Sequence, residues 1–169
     1  MEKHTGIITF GGNPMTLVGT MAKIGEIAPD FTVLNADLSP FNFSSTAGKV
    51  RIISVVPSID TGICDAQTRR FNQEAANLDV EILTISCDLP FALGRYCAAA
   101  GIDKVKTMSD HRMLDFCHKY GFVIDELRLL SRGIVIVDKN NEIKYVEYVS
   151  EVASHPNYDQ ALAEAKKLL

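Results

Sequence analysis

Among the 169 residues there is no C-x-x-C pair: the four cysteines, Cys64, Cys87, Cys97 and Cys117, are scattered singly. That spacing argues against a zinc site and against a redox pair of near-neighbour thiols. The histidines His4, His111 and His155 show no ligand spacing, and His118, beside Cys117, does not face it on a helix. Neither a metal nor a cofactor is therefore expected. Gly48-Lys49 resembles the end of a phosphate loop only superficially, because Phe43 and Val50 occupy positions that need glycine and a hydroxyl. Positive charge is in short supply too. With 17 Lys and Arg against 21 Asp and Glu, the formal net charge of −4 leaves no basic face for nucleic acid or an acidic membrane surface. Long apolar runs are missing, both in the opening MEKHTGIITFGGNP, where a signal peptide would need one, and later, where a membrane span would. Repeats, low-complexity tracts and linkers are absent. The expectation is one domain over residues 1–169 in the cytoplasm, a compartment in which a disulfide is more often catalytic than structural.

What the chain does have is a β-branched apolar run followed at once by a helical pattern. Arg51 to Val56 has strand character, Pro57 ends it, and from about Thr61 the spacing turns helical. Cys64 therefore falls in the first turn of a helix that begins where a buried strand stops. There it lies among backbone N–H groups without intrahelical partners, at the positive end of the helix dipole, and such a place favours a thiolate. Thr61 can cap the helix and turn its hydroxyl toward the sulfur, and Pro57 would shield the site from behind. Asp65 opposes this arrangement, since an adjacent carboxylate repels a thiolate unless its side chain turns to the helix N-terminus. A cation from elsewhere in the chain is needed. Position alone leaves a second reading open, in which Cys64 is a small buried hydrophobe, a common use of free cysteine.

Around this centre, Gly6 to Phe10 and Met15 to Val18 flank the turn Gly11-Gly12-Asn13-Pro14 and predict an opening hairpin within residues 1–22. The order Ile27-Ala28-Pro29-Asp30-Phe31-Thr32-Val33-Leu34 leads into a strand, and Ser39-Pro40 and Ala47-Gly48 bracket a loop with a helical turn at Phe43 to Thr46. The helix from Cys64 extends to about Leu78, and the apolar run Val80 to Ser86 is a strand buried on both faces, parallel to the first. Pro90 to Ala100 is a helix with proline at its start and Gly101 at its end, and Gly94 in its middle costs about 1 kcal/mol relative to alanine. Val105 to Met108 predicts a strand, Met113 to Tyr120 a helix, Gly133 to Val137 and Ile143 to Tyr148 a hairpin, and Pro156 to Leu169 an amphipathic helix. This order describes an α/β sandwich of the thioredoxin kind with an added N-terminal β-hairpin.

The string Pro57-Ser-Ile-Asp-Thr61-Gly-Ile-Cys64 resembles the peroxiredoxin signature of proline, three residues, threonine, two residues, cysteine. Together with DLPFALGRYC, which ends at Cys97, and SRGIVIVD, which contains Arg132, it is similar to the thiol peroxidase branch, the atypical two-cysteine peroxiredoxins, over essentially the full length. The resemblance implies a peroxidase acting on hydrogen peroxide and organic hydroperoxides. It makes Cys64 the peroxidatic cysteine, Thr61 the hydroxyl that orients the peroxide, Pro57 the screen of the thiolate, Arg132 the missing cation and Cys97 the resolving cysteine. It further implies an intrasubunit Cys64–Cys97 disulfide, thioredoxin as reductant and a homodimer. Cys64 and Cys97 lie 33 residues apart on two predicted helices, and a disulfide needs Cα atoms within ~7 Å, so both helices have to loosen locally.

The remaining candidates have plainer readings. Cys87 and Cys117 are taken as structural, although Cys87 lies near the end of the strand beside the active-site strand, where its sulfur could pair off-pathway. Arg69 and Arg70 make a charged helix face or add positive potential near Cys64, and Arg95 either favours a Cys97 thiolate or is solvated. Two other functions fit the same fold: a redox-regulated binding module whose cysteines sense oxidation without turnover, and a thiol-disulfide oxidoreductase, which the missing C-x-x-C disfavours.

Overall fold

The computed structural model describes residues 1–75 and 77–169. Lys3–Phe10 (β1) and Asn13–Val18 (β2) form the expected antiparallel hairpin, turned by Gly11 and Gly12 at φ of 59° and 80°, where a side chain would be strained. Thr32–Leu34 (β3), Pro40–Asn42 (β4) and the 3₁₀ turn Phe43–Thr46 follow, then Val50–Val55 (β5) and Gly62–Ala75 (α1). Val80–Ser86 (β6), Pro90–Ala100 (α2), Val105–Ser109 (β7) and Asp115–Tyr120 (α3) complete the alternating part. The chain closes with Val123–Ile124 (β8), Leu129–Leu130 (β9), Gly133–Val137 (β10), Ile143–Tyr148 (β11) and Tyr158–Lys166 (α4).

Seven strands make the central sheet in the order β11-β10-β5-β6-β7-β3-β4. Every residue of β5 and β10 is buried, Arg51 and Ser54 of β5 included, as strands covered on both faces require. β5, β6 and β7 are parallel, with Val50 opposite Val80 and Ile82 opposite Val105, and β10 lies antiparallel to β5 with Gly133 opposite Val55. On one face Phe71 of α1 and Ala161, Leu162 and Ala165 of α4 pack on Ile52, Ile82 and Ile134; on the other, Phe116 and Tyr120 of α3 pack with Phe31 and Phe43. This is a thioredoxin-like α/β fold with an added N-terminal β-hairpin.

Several boundaries differ from those expected, each for a local reason. β4 occupies part of the segment read as loop, and the two-residue β8 and β9 extend the opening hairpin into a four-stranded sheet, β1-β2-β8-β9. α3 starts two residues later because Leu114 takes a left-handed conformation at φ 51°, while the buried Asp110 carboxylate accepts the Cys117 and Phe116 amides at 2.8 and 3.4 Å. α4 starts at Tyr158, where the Asn157 side chain caps the Gln160 amide at 3.1 Å, and ends at Lys166, three residues before the chain end. α1 starts at Gly62 and its described part ends at Ala75; of its expected continuation to Leu78, Ala76 lies outside the described residues.

Candidate active site

β5 ends at Val55 and the chain turns through Val56 to Thr61 before α1 begins, so the first turn of α1 stands at the carboxyl edge of the parallel strands. Cys64 is the third residue of that helix. Its amide donates to the Thr61 hydroxyl at 3.3 Å and the Asp65 amide donates to the Thr61 carbonyl at 2.9 Å, which makes Thr61 the N-cap. The hydroxyl proton goes to the Ser58 carbonyl at 3.3 Å, so in this state it points back along the loop and not toward the sulfur. Pro57 is buried at the mouth of the site. The loop itself is held by Asp88, whose carboxylate accepts the Ser58 hydroxyl at 2.7 Å and the Ile59 amide at 2.8 Å.

Arg132 enters from the strand on the far side of β5. It precedes β10, whose register with β5 brings it level with the end of that strand. Gly133 permits this packing: a Cβ there would lie 2.2 Å from the Glu147 carbonyl oxygen and 2.6 Å from the Phe122 ring. Arg132 is 2% exposed and its three guanidinium nitrogens are each engaged. Nε donates to the Val152 carbonyl at 2.7 Å, Nη1 to the Gln67 side-chain oxygen at 3.0 Å and Nη2 to the Cys64 sulfur at 3.3 Å. Among the described residues no carboxylate lies within 4.0 Å of it. A buried cation without a carboxylate is costly, and the sulfur is the one partner here that can carry the opposite charge.

The sequence reading missed two parts of this arrangement. Gln67 is fully buried and anchors Arg132 while donating to Ser54 Oγ at 2.7 Å. Its signal was its spacing, since Cys64, Gln67, Thr68 and Phe71 share one helix face and a glutamine on a face that must be covered calls for a buried partner. The opening hairpin is the other. The Glu151 carboxylate accepts the Gly11, Gly12 and Ala153 amides and the Thr9 hydroxyl, which fixes the segment whose Val152 carbonyl receives Arg132. These bonds, Ala153's foremost, pull the Glu151 pKa down to about 2. Asp65 does not turn to the helix N-terminus, the condition under which it would spare a thiolate: its carboxylate accepts the Tyr96 hydroxyl at 2.6 Å and Arg69 Nε at 2.9 Å. The Tyr96 bond, ahead of Arg69, holds the Asp65 carboxyl below the usual carboxylate range. Arg69 and Arg70, which pairs with Asp159 and Glu74, thus form a charged helix face.

The Cys64 sulfur is fully covered, and a cavity of about 330 Å³ lined by Phe10, Pro57, Thr61, Ile63, Arg132 and His155 reaches the groups that touch it. The redoxin family matches residues 23–162 of the chain. A protein named thiol peroxidase from Halalkalibacterium halodurans is 60% identical over 163 residues, 96% of this chain and 98% of that one. The chain belongs to the redoxin family, in its thiol peroxidase branch. A thiol peroxidase from Bacillus subtilis is 56% identical to this redoxin over the same shares of both chains. A peroxiredoxin-like protein from Aquifex aeolicus superposes on it with a TM-score of 0.91 at 36% identity, covering 98% of this chain and 99% of that chain.

In this redoxin the other cysteines lie apart from Cys64, and all four are free thiols. Cys97 is half-buried on α2 and shares a hydrogen with Thr107 Oγ1 at 3.1 Å, so the structure does not bring it to Cys64. Cys87 packs beside the aromatic core and meets the buried Cys117, whose acidity is suppressed by that contact and by burial; its neighbour is Cys117 and not Cys64. Arg95 is exposed and lines a second cavity with Ser58, Asp88 and Tyr96.

Proposed function

We propose that the chain is a thiol-dependent peroxidase in which Cys64 is peroxidatic and Cys97 resolving. The observation that carries this is the buried Arg132 guanidinium, without a carboxylate among the described residues and with Nη2 3.3 Å from the Cys64 sulfur. A thiolate there is paired with a fixed cation and with the N-terminus of α1. It attacks the terminal oxygen of a hydroperoxide: the S–O bond forms, the O–O bond breaks, and the alcohol or water leaves after taking a proton. Charge developing on the leaving oxygen meets Arg132 and, once the Thr61 hydroxyl rotates from Ser58, a second donor. The apolar wall of the cavity, Phe10, Ile63 and Ala66, suits the carbon substituent of an organic hydroperoxide, while hydrogen peroxide needs only the polar end.

Cys64 is then a sulfenic acid, and the Cys97 thiolate attacks its sulfur to form the disulfide as hydroxide leaves and is protonated to water. The first turn of α1 and the middle of α2 both unwind for the sulfurs to meet. An external dithiol, thioredoxin in this reading, returns two electrons and two protons. A homodimer in the cytoplasm completes the proposal.

The test is peroxide consumption with thioredoxin, its reductase and NADPH, joined to a thiol count by mass spectrometry after one equivalent of peroxide. Sustained turnover and a linked Cys64–Cys97 peptide pair support the reading. A single turnover that stops would point to a sensor, and a stable sulfenic acid with Cys97 untouched to a one-cysteine scheme. Amide exchange in α1 and α2 no faster after oxidation than before would remove the unwinding step.

A further inference from the structure

The carboxyl-terminal half of α2, which carries Cys97, is held with little apolar packing. The buried residues of α2 are Pro90 and Leu93, both before Gly94, and a cavity of about 410 Å³ lined by Ser58, Asp88, Ala92, Tyr96 and Ala99 runs beside the helix. What fastens this half is polar. The Tyr96 hydroxyl donates to Asp65 Oδ1 at 2.6 Å, Arg69 donates to the Ala100 carbonyl at 3.4 Å, and the Cys97 thiol meets Thr107. Two of these three ties run to α1, and the shorter reaches the residue next to Cys64.

We propose that the Asp65–Tyr96 hydrogen bond is a latch that times disulfide closure, with Tyr96 and Asp65 acting as positioning residues for Cys97. The inference rests on the Cys64–Cys97 reaction proposed above. While α1 is intact, the carboxylate on its first turn holds Tyr96, and with it the helix segment carrying Cys97. When that turn unwinds around an oxidised Cys64, Asp65 moves off the phenol and the second helix is released, so the two local openings occur together. Burial of the Tyr96 ring and the bond to Asp65 keep the phenol protonated, and the carboxylate stays ionised, so donor and acceptor roles are fixed at neutral pH. A short bond between a phenol and an ionised carboxylate is stronger than a neutral one. It falls between the two helices, and not within either.

The measurement is quenched-flow mass spectrometry of the full chain, with Tyr96→Phe as the variant because it keeps the ring and removes only the hydroxyl. The rate of Cys64 sulfenic acid formation reads the first chemical step and the rate of disulfide formation reads closure. Closure should quicken about tenfold, ~1.4 kcal/mol at 25 °C, while the first step stays as in the parent. At high peroxide a second hydroperoxide oxidises the sulfenic acid to sulfinic acid in competition with closure, so the variant should accumulate less sulfinic acid. Asp65→Asn, which keeps an acceptor oxygen for the phenol without the charge, should close at a rate between the two. If the parent forms no Cys64–Cys97 disulfide, the proposed reaction falls and the latch with it. If the parent forms the disulfide and Tyr96→Phe closes no faster, the latch alone is overturned.

Discussion

Gln67 offers the sharpest separation of structure from chemistry in this site. Its side-chain oxygen accepts Arg132 Nη1 at 3.0 Å and its nitrogen donates to Ser54 Oγ at 2.7 Å, both without access to water. Gln67→Met removes these two bonds, and a longer one from the same nitrogen to the Val55 carbonyl at 3.5 Å, at similar volume. It leaves a buried charged donor short of a partner, worth about 1.5–3 kcal/mol, and orphans a hydroxyl for about 1 kcal/mol more. Thermal stability should fall accordingly. Arg132 keeps its bonds to Val152 and Cys64, so oxidation of Cys64 should slow only about tenfold, the loss of a supporting contact and not of the cation itself. Gln67→Glu has the opposite profile. It restores an acceptor for the guanidinium, so stability should recover. Its charge, however, lies three residues on along the same helix face, where neighbours are about 5–6 Å apart, and at an effective dielectric of about 20 this opposes the thiolate by about 3 kcal/mol. At neutral pH single-turnover oxidation should slow by roughly a hundredfold. Stopped-flow oxidation beside thermal denaturation makes the comparison: Gln67→Glu is the more stable variant and the slower one. A Gln67→Glu chain as fast as the parent at neutral pH would refute the claim that Arg132 serves as counter-charge to Cys64.

Two further outcomes follow from other parts of the molecule. Gly94→Ala should strengthen α2 by up to about 1 kcal/mol and slow disulfide closure about fivefold, provided Ala36 yields slightly. The new Cβ would meet the Ala36 Cβ at 3.3 Å; closure as fast as in the parent would show that α2 does not open in the cycle. Glu151 sets a pH dependence: folding lowers its pKa from 4.5 to about 2, so its stabilisation is fully present above 4.5 and is lost as pH falls toward about 2. The melting-temperature gap between the parent and Glu151→Gln should therefore hold at neutral pH and close across that interval. A gap that persists at the acid end would contradict the assignment.

Much of this was legible from local pattern. β5, the break at Pro57 and the start of α1 follow from a β-branched run that gives way to helical spacing, and Thr61 caps Cys64 as its place three residues earlier suggests. Gly101 closes α2 with φ of 68°, as a glycine after the last turn does. What could not be read were partners chosen in three dimensions. Local pattern did not decide whether Asp65 turns to the helix N-terminus; its carboxylate goes to Tyr96, 31 residues onward, because α2 packs beside that turn. β8 and β9 have two residues each, too few to show an alternation, and exist because β2 offers an edge to pair with. The late start of α3 depends on Asp110, buried beneath its first turn, and its sequence gives no sign of the left-handed Leu114.

The pairing of Arg132 with Cys64 is tested most directly by the second-order rate of Cys64 oxidation by hydrogen peroxide in Arg132→Met, with Cys97 alkylation as an internal check that the fold persists. A loss of about a hundredfold or more, with Cys97 alkylated as in the parent, is the result expected when a buried cation is removed from a developing charge. A rate within a few-fold of the parent in a folded variant would contradict the account.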